Sequence, residues 1–352
     1  MGSVQRRFSA GAETSGSGVH FRVFAPRPER VSVVVGARTF PLESEENGYF
    51  SGLAEGIKPG DRYHFLLDGG DEAYPDPASR FHREGPNGPS EVIDLAFPWT
   101  DGEWHGVDGL RGQVLYELHV GTFTKEGTYA AAGRELEELK RIGVTLIELM
   151  PLAEFPGAFG WGYDGVDLYA PTNLFGRPDD LRAFIDRAHA VGLGVILDVV
   201  YNYLGPCGNY LSTLSDSYFA TKYENEWGAA IDFESSPHTR AYFVENGAHW
   251  IDEFHFDGLR LDATQSIHDA SDRHVIAELA APTRKASAKP IVIVIVIVAE
   301  NEPQHPRLVR PEEKGGYGLD GLWNDDVHHP LGSPSRARVR LITPARRGRR
   351  RS

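Results

Sequence analysis

The chain is poor in sulfur, with one cysteine (Cys207) and two methionines in 352 residues. A single thiol excludes an intrachain disulfide framework and any cysteine-based zinc site, and it suits a reducing compartment. Long apolar runs are also missing. The longest, Ile291–Ala299, has about half the length a membrane-spanning helix needs. The opening MGSVQRRFSAGAET has no apolar stretch of the kind a secretory signal carries. These absences predict a soluble, cytoplasmic protein without membrane contact. No Gly-rich phosphate loop follows the first parallel-type strand, which disfavours a nucleotide-binding doubly wound sheet.

What is present is ordinary globular composition, 41% hydrophobic and 24% charged, with 39 Gly and 23 Pro. The length suits a small domain followed by a large one. The net charge is −14, yet Ser333–Ser352 contains eight Arg and no acid, so the body of the chain is more acidic still. Such a body repels phosphate backbones, which argues against nucleic-acid binding and is compatible with a neutral substrate such as a sugar.

Residues 1–104 read as a β-sandwich. VHFRVFAP, RVSVVVG and RYHFLLDG are short Val-, Phe- and Tyr-rich runs separated by Pro, Gly and Asp punctuation. Ala73–Ser90 is too rich in Pro and Gly for regular structure and reads as an ordered connection. From 105 to 330 strands and helices alternate. Strands are expected at Gln113–Gly121, Val144–Leu152, Val195–Asn202, Phe256–Ala263, Ile291–Asn301 and Gly318–Asp326, with helices at Ala130–Gly143, Pro178–Gly194, His238–Phe254 and Ser271–Ser287. Uniformly apolar strands in this rhythm predict parallel β/α units, here an α/β fold with six of the eight strands of a (β/α)₈ barrel. The Arg-rich 331–352 segment reads as a disordered tail.

The carboxyl ends of these strands are polar where burial does not ask for it: Glu117 and His119, Glu148, Asp198 and Asn202, Arg260 and Asp262, Glu300, Asp325 and Asp326. Helix capping by Asp and Asn explains some of them. It does not explain Arg260, Asp262 and Glu300, which interrupt apolar runs and are costly there unpaired. Arg260 and Asp262, two apart on a strand, share a face. The guanidinium keeps Asp262 ionised, as a nucleophile requires, and desolvation at the end of an apolar strand suits Glu300 as a proton donor. One charged and one protonated carboxyl on adjacent strands is the arrangement of a retaining glycosidase. Trp161 and Tyr163, in the Gly-rich GWGYDG loop, suit a sugar-stacking platform.

DVVYN (198–202), DGLRLDA (257–263) and VAEN (298–301) resemble, in order and spacing, three successive signature regions of the α-amylase superfamily. That resemblance implies a (β/α)₈ barrel acting on α-glucosidic bonds without an organic cofactor. It implies Asp262 as nucleophile, Glu300 as acid/base, Arg260 as support for the nucleophile, and Asp198 and Asn202 shaping the sugar site. Tyr163 is similar to the family's stacking tyrosine, with Asp164 beside it. YPDPASRF (74–81), GPS (88–90), YELHVGTFT (116–124), GPCGNYL (205–211) and GLWNDDVHH (321–329) resemble the members that hydrolyse the α-1,4 bond beside the trehalose end of malto-oligosyltrehalose. Within that motif Asn324, Asp325, Asp326 and His328 are expected to bind substrate; adjacent histidines on a strand face opposite ways, which disfavours a metal. A glucan branching enzyme and an inactive α-glucan-binding remnant are the alternatives. The oligomeric state is left open.

The chain departs from the family in three places. Tyr203 stands where an imidazole is usual, and its larger ring is expected to crowd the sugar. The fourth signature region, with a further Asp, has no counterpart. After His329 the composition changes abruptly, as a shifted reading frame or a truncation would produce. Six strands with two open edges predict a poorly stable, aggregation-prone chain of little activity.

Overall fold

A computed structural model describes residues 6–286 and 295–324. Strands β1 (Gly11–Ser15), β2 (Gly18–Phe24), β3 (Val31–Val35), β4 (Arg38–Pro41), β5 (Glu43–Ser44), β6 (Tyr49–Glu55), β7 (Arg62–Leu67) and β8 (Ser90–Glu91) form two antiparallel sheets, ordered β1-β2-β6-β5 and β4-β3-β7-β8. Alternate residues of each sheet turn inward. Val19, Phe21 and Val23 from one meet Val31, Val33, Tyr63 and Phe65 from the other in a shared core, which makes this a β-sandwich. The Pro-rich connection is irregular but buried. The Asp76 carboxylate accepts bonds from the Tyr63 hydroxyl (2.8 Å) and the Ala78 amide (2.8 Å), which satisfies polar groups that burial would otherwise strand.

The second part is built on six parallel strands: β9 (Leu115–Leu118), β10 (Leu146–Leu149), β13 (Gly194–Val199), β14 (Gly258–Leu261), β15 (Val296–Glu300) and β16 (Gly321–Trp323), in the order β16-β15-β14-β13-β10-β9. This is the incomplete (β/α)₈ barrel the sequence predicts. The first four residues of the Ile291–Asn301 run lie outside the described residues. An element absent from the sequence reading intervenes after β10, where β11 (Ala153–Glu154) pairs antiparallel with β12 (Asp167–Pro171).

The helices follow their signals. Pro178–Ala190 and Pro237–Phe254 both begin with proline, and the latter is capped by the Ser236 hydroxyl accepting from the Thr239 amide (3.1 Å). The stretch expected as one helix over Ala130–Gly143 is two short ones, Tyr129–Gly133 and Leu136–Arg141. Gly133, a poor helix former, weakens the middle.

At the amino-terminal end of the strands, buried His189 bridges Asp101 (Nδ1, 2.8 Å) and Asp257 (Nε2, 3.0 Å), and Trp104 stacks on its ring at 4.9 Å. This network fastens the connection to the barrel. The sandwich is fastened at the opposite end. The Arg27 amide donates to the Leu214 carbonyl (3.1 Å), Leu214 joins the sandwich core, and Tyr210 donates to Asn87 (2.9 Å).

Candidate active site

The site forms where β13, β14 and β15 end. Register pairs Asp198 directly with Arg260 across β13 and β14. The guanidinium collects the acids around it. Its Nη1 donates to both oxygens of Asp198 (2.8 Å each) and to Asp262 (2.6 Å), and its Nη2 lies 3.5 Å from Glu300. Its Nε lies 3.7 Å from Glu148 on β10. One cation thus faces four carboxyl groups in a largely buried setting. The expected pair, Asp262 and Glu300, comes together on the same guanidinium.

Burial sets the electrostatics. Loss of solvent raises the Asp198 carboxyl to about 7 and outweighs the opposing pull of Arg260. Burial acts to lower the Arg260 guanidinium, but Asp198, Asp262 and Glu148 together raise it, so it stays charged. Glu300 is placed in a polar setting, not the dry one its apolar strand suggests. Its Oε2 accepts from the Ala263 amide (2.8 Å) besides facing Arg260. Ala263 holds φ of 39°, a left-handed backbone unusual for a residue with a Cβ, and this turn carries the amide to Glu300. No sequence signal announces it.

Tyr163 donates its hydroxyl to Asp198 (3.0 Å). Its loop depends on Gly162, at φ 91°, where a Cβ would collide with the Pro151 carbonyl. His119 Nε2 and the Gly160 carbonyl, 3.0 Å apart, hold the same loop to the end of β9. Asp164 is exposed beside Tyr163. Asn202 is buried, and its side-chain amide has no hydrogen-bond partner among the described residues. Tyr203 does not point its hydroxyl at the strand-end acids: it donates to the Tyr163 carbonyl (2.8 Å), and its ring leans on Trp227 at 6.1 Å. Asn324 exchanges bonds with Gln304 (3.1 and 3.2 Å), tying the end of β16 to the loop after β15. Asp325, Asp326 and His328 lie outside the described residues. Among the described residues no three His, Cys, Asp or Glu side chains converge as a metal site, and no helix is long and apolar enough to cross a membrane.

Residues 118–229 match the α-amylase catalytic domain family. The chain is 44% identical over 324 residues to malto-oligosyltrehalose trehalohydrolase of Deinococcus radiodurans, covering 92% of this chain and 52% of that protein. It is 42% identical to the protein of the same name from Saccharolobus solfataricus, covering 89% and 55%. A 1,4-α-glucan branching enzyme of Pseudoalteromonas atlantica is more distant, at 28% identity over 95% of this chain and 53% of its own. Among solved structures, a putative α-amylase from Salmonella typhimurium superposes with a TM-score of 0.84 at 39% identity, over 92% of this chain and 55% of that one. The chain spans about half the length of the curated relatives it matches. A parallel half-barrel with its acids gathered at the strand ends, and relatives of this kind over nine-tenths of its length, make the chain similar to the α-amylase family.

Proposed function

We propose that the chain carries the acid pair of a retaining glycoside hydrolase that cuts the α-1,4 bond next to the trehalose end of malto-oligosyltrehalose and releases trehalose. The observation that carries this reading is the Arg260 guanidinium, which holds Asp198 and Asp262 while Glu300 stands within 3.5 Å of it. Asp262 attacks the anomeric carbon, and Glu300 gives a proton to the departing glycosidic oxygen. Water, deprotonated by Glu300, then releases the glucosyl group and restores both acids. Arg260 holds Asp262 in its attacking orientation. Asp198, Asn202, Tyr163 and Asp164 shape the sugar site, and Asn324, Asp325, Asp326 and His328 contact the substrate beyond it. Among the described residues, those up to 104 form the sandwich and those from 105 on the barrel portion of a soluble, cytoplasmic protein. The names of the nearer relatives favour this reading over branching.

The test is incubation of the full chain with maltotriosyltrehalose and, separately, amylose. Slow release of trehalose from the first, abolished in Asp262→Asn, is the expected result. New α-1,6 branches in amylose would replace this reading with the branching one. Maltodextrin affinity without product, unchanged in Asp262→Asn, would leave a binding protein.

A further inference from the structure

Glu148 is a buried carboxyl that the proposed reaction does not use. It lies on β10, entirely out of solvent, and neither of its oxygens has a hydrogen-bond partner among the described residues. The groups that face it come from its two neighbouring strands and from two beyond: Glu117 on β9, Asp198 on β13, Arg260 on β14 and Glu300 on β15. Only one of the four is cationic. Its Nε, 3.7 Å away, also lacks a hydrogen-bond partner. A carboxylate and a guanidinium nitrogen at that distance are one small movement from a charge-assisted bond of about 2.8 Å. That bond is unmade, and the guanidinium is turned through Nη1 toward Asp198 and Asp262.

We propose that Glu148 is a positioning residue for the hydrolysis proposed above: as the neutral acid it leaves Arg260 to Asp198 and Asp262, and as an anion it competes for that guanidinium through Nε. The charge count supports this. With Glu300 holding the proton it donates, Glu148, Asp198 and Asp262 still set three carboxylates against one guanidinium in a largely buried site, so a further proton must be held. Glu148 is the group with no solvent and no donor. Burial, and after it Asp198, drives its carboxyl well above the usual range, against the opposing pull of Arg260. Only the positioning role rests on the hydrolase reading.

The experiment compares wild type with Glu148→Gln, which mimics the neutral acid at every pH. A carboxyl that stays protonated in the fold costs stability as pH rises above the unfolded value of about 4.3. The two proteins are therefore expected to melt together at pH 4, with the variant higher by roughly 3–6 °C at pH 8. Glu148→Met, which removes the acid without adding an amide, tests the same trend should the glutamine variant fold poorly. Competition for Arg260 is read from the cycle with Asp262→Asn, non-additive once Glu148 ionises and additive at pH 5. With maltotriosyltrehalose, the basic limb of kcat/KM is expected to move to higher pH in Glu148→Gln. A variant that melts below wild type at pH 8 would show that Glu148 is a stabilised anion and overturn the proposal, as would a cycle that stays additive at the pH where the melting difference between the two proteins stops growing. Absence of turnover in both proteins would count against the hydrolase reading, while the melting data still decide the charge of Glu148.

Discussion

Replacing Arg260 by leucine removes the cation from a cluster of acids, and the structure sets the size of the effect. The two Nη1 hydrogens lose their acceptors, one shared by both Asp198 oxygens and one on Asp262. At about 1.5–3 kcal/mol for each bond to a charged group, the gross loss is roughly 3–6 kcal/mol. The net loss is smaller because the abandoned acids can take up protons. Asp198 already sits at about 7, raised by burial against the pull of Arg260, so protonating it at neutral pH costs little. Removing one partner of a buried pair costs about 3–5 kcal/mol, and the lower end of that range is expected at pH 7. Above pH 7 wild-type Asp198 ionises in both the folded and unfolded states, whereas in the variant only the unfolded state does so. The deficit then grows by about 1.4 kcal/mol per pH unit. Urea unfolding of both proteins at pH 6, 7, 8 and 9 measures this. A deficit below about 1 kcal/mol, or one that does not change with pH, would refute the placement of Arg260 as the counter-charge of this cluster.

Three further outcomes follow from other parts of the fold. Gly258→Ala places a Cβ against the Val296 carbonyl of the neighbouring strand, so β14 and β15 must separate, and a loss of about 3 kcal/mol or more is expected in urea unfolding. His189→Leu leaves Asp101 and Asp257 facing a buried side chain that cannot pair with them, with an expected cost of about 3–5 kcal/mol at pH 7; a neutral result would show that the network carries no weight. His82 is buried and held down to about 4 by desolvation. Its folded value lies below the unfolded one of about 6.5, so the stability it contributes is present above pH 6.5 and lost as pH falls toward 4. His82→Gln is expected to remove roughly 3 kcal/mol of that acid-induced loss, read as a flatter melting curve against pH.

The strand-end acids were legible because Arg260, Asp262 and Glu300 break apolar runs that have no other reason to carry charge. Strand order was legible for a related reason: parallel strands buried on both faces leave continuous apolar segments in the sequence. What escaped reading depends on partners distant in the chain. β11 and β12 are each short, and pairing makes them strands. Glu148 looked like any polar strand end, since its isolation shows only once Asp198 and Arg260 surround it. Tyr203 was judged by its size, but its direction is fixed by a carbonyl forty residues earlier. The link from His189 to Asp101 and Asp257 spans 88 and 68 residues, with no local pattern to mark it.

Leu214 belongs in sequence to the excursion that leaves β13 through Asn202 and Tyr203, yet its side chain is a brick in the wall of the sandwich. The two halves of the molecule therefore cannot drift apart without dragging the rim around the strand-end acids with them. A disturbance in the first hundred residues would be felt at the strand-end acids, and anything held at that rim would in turn brace the sandwich.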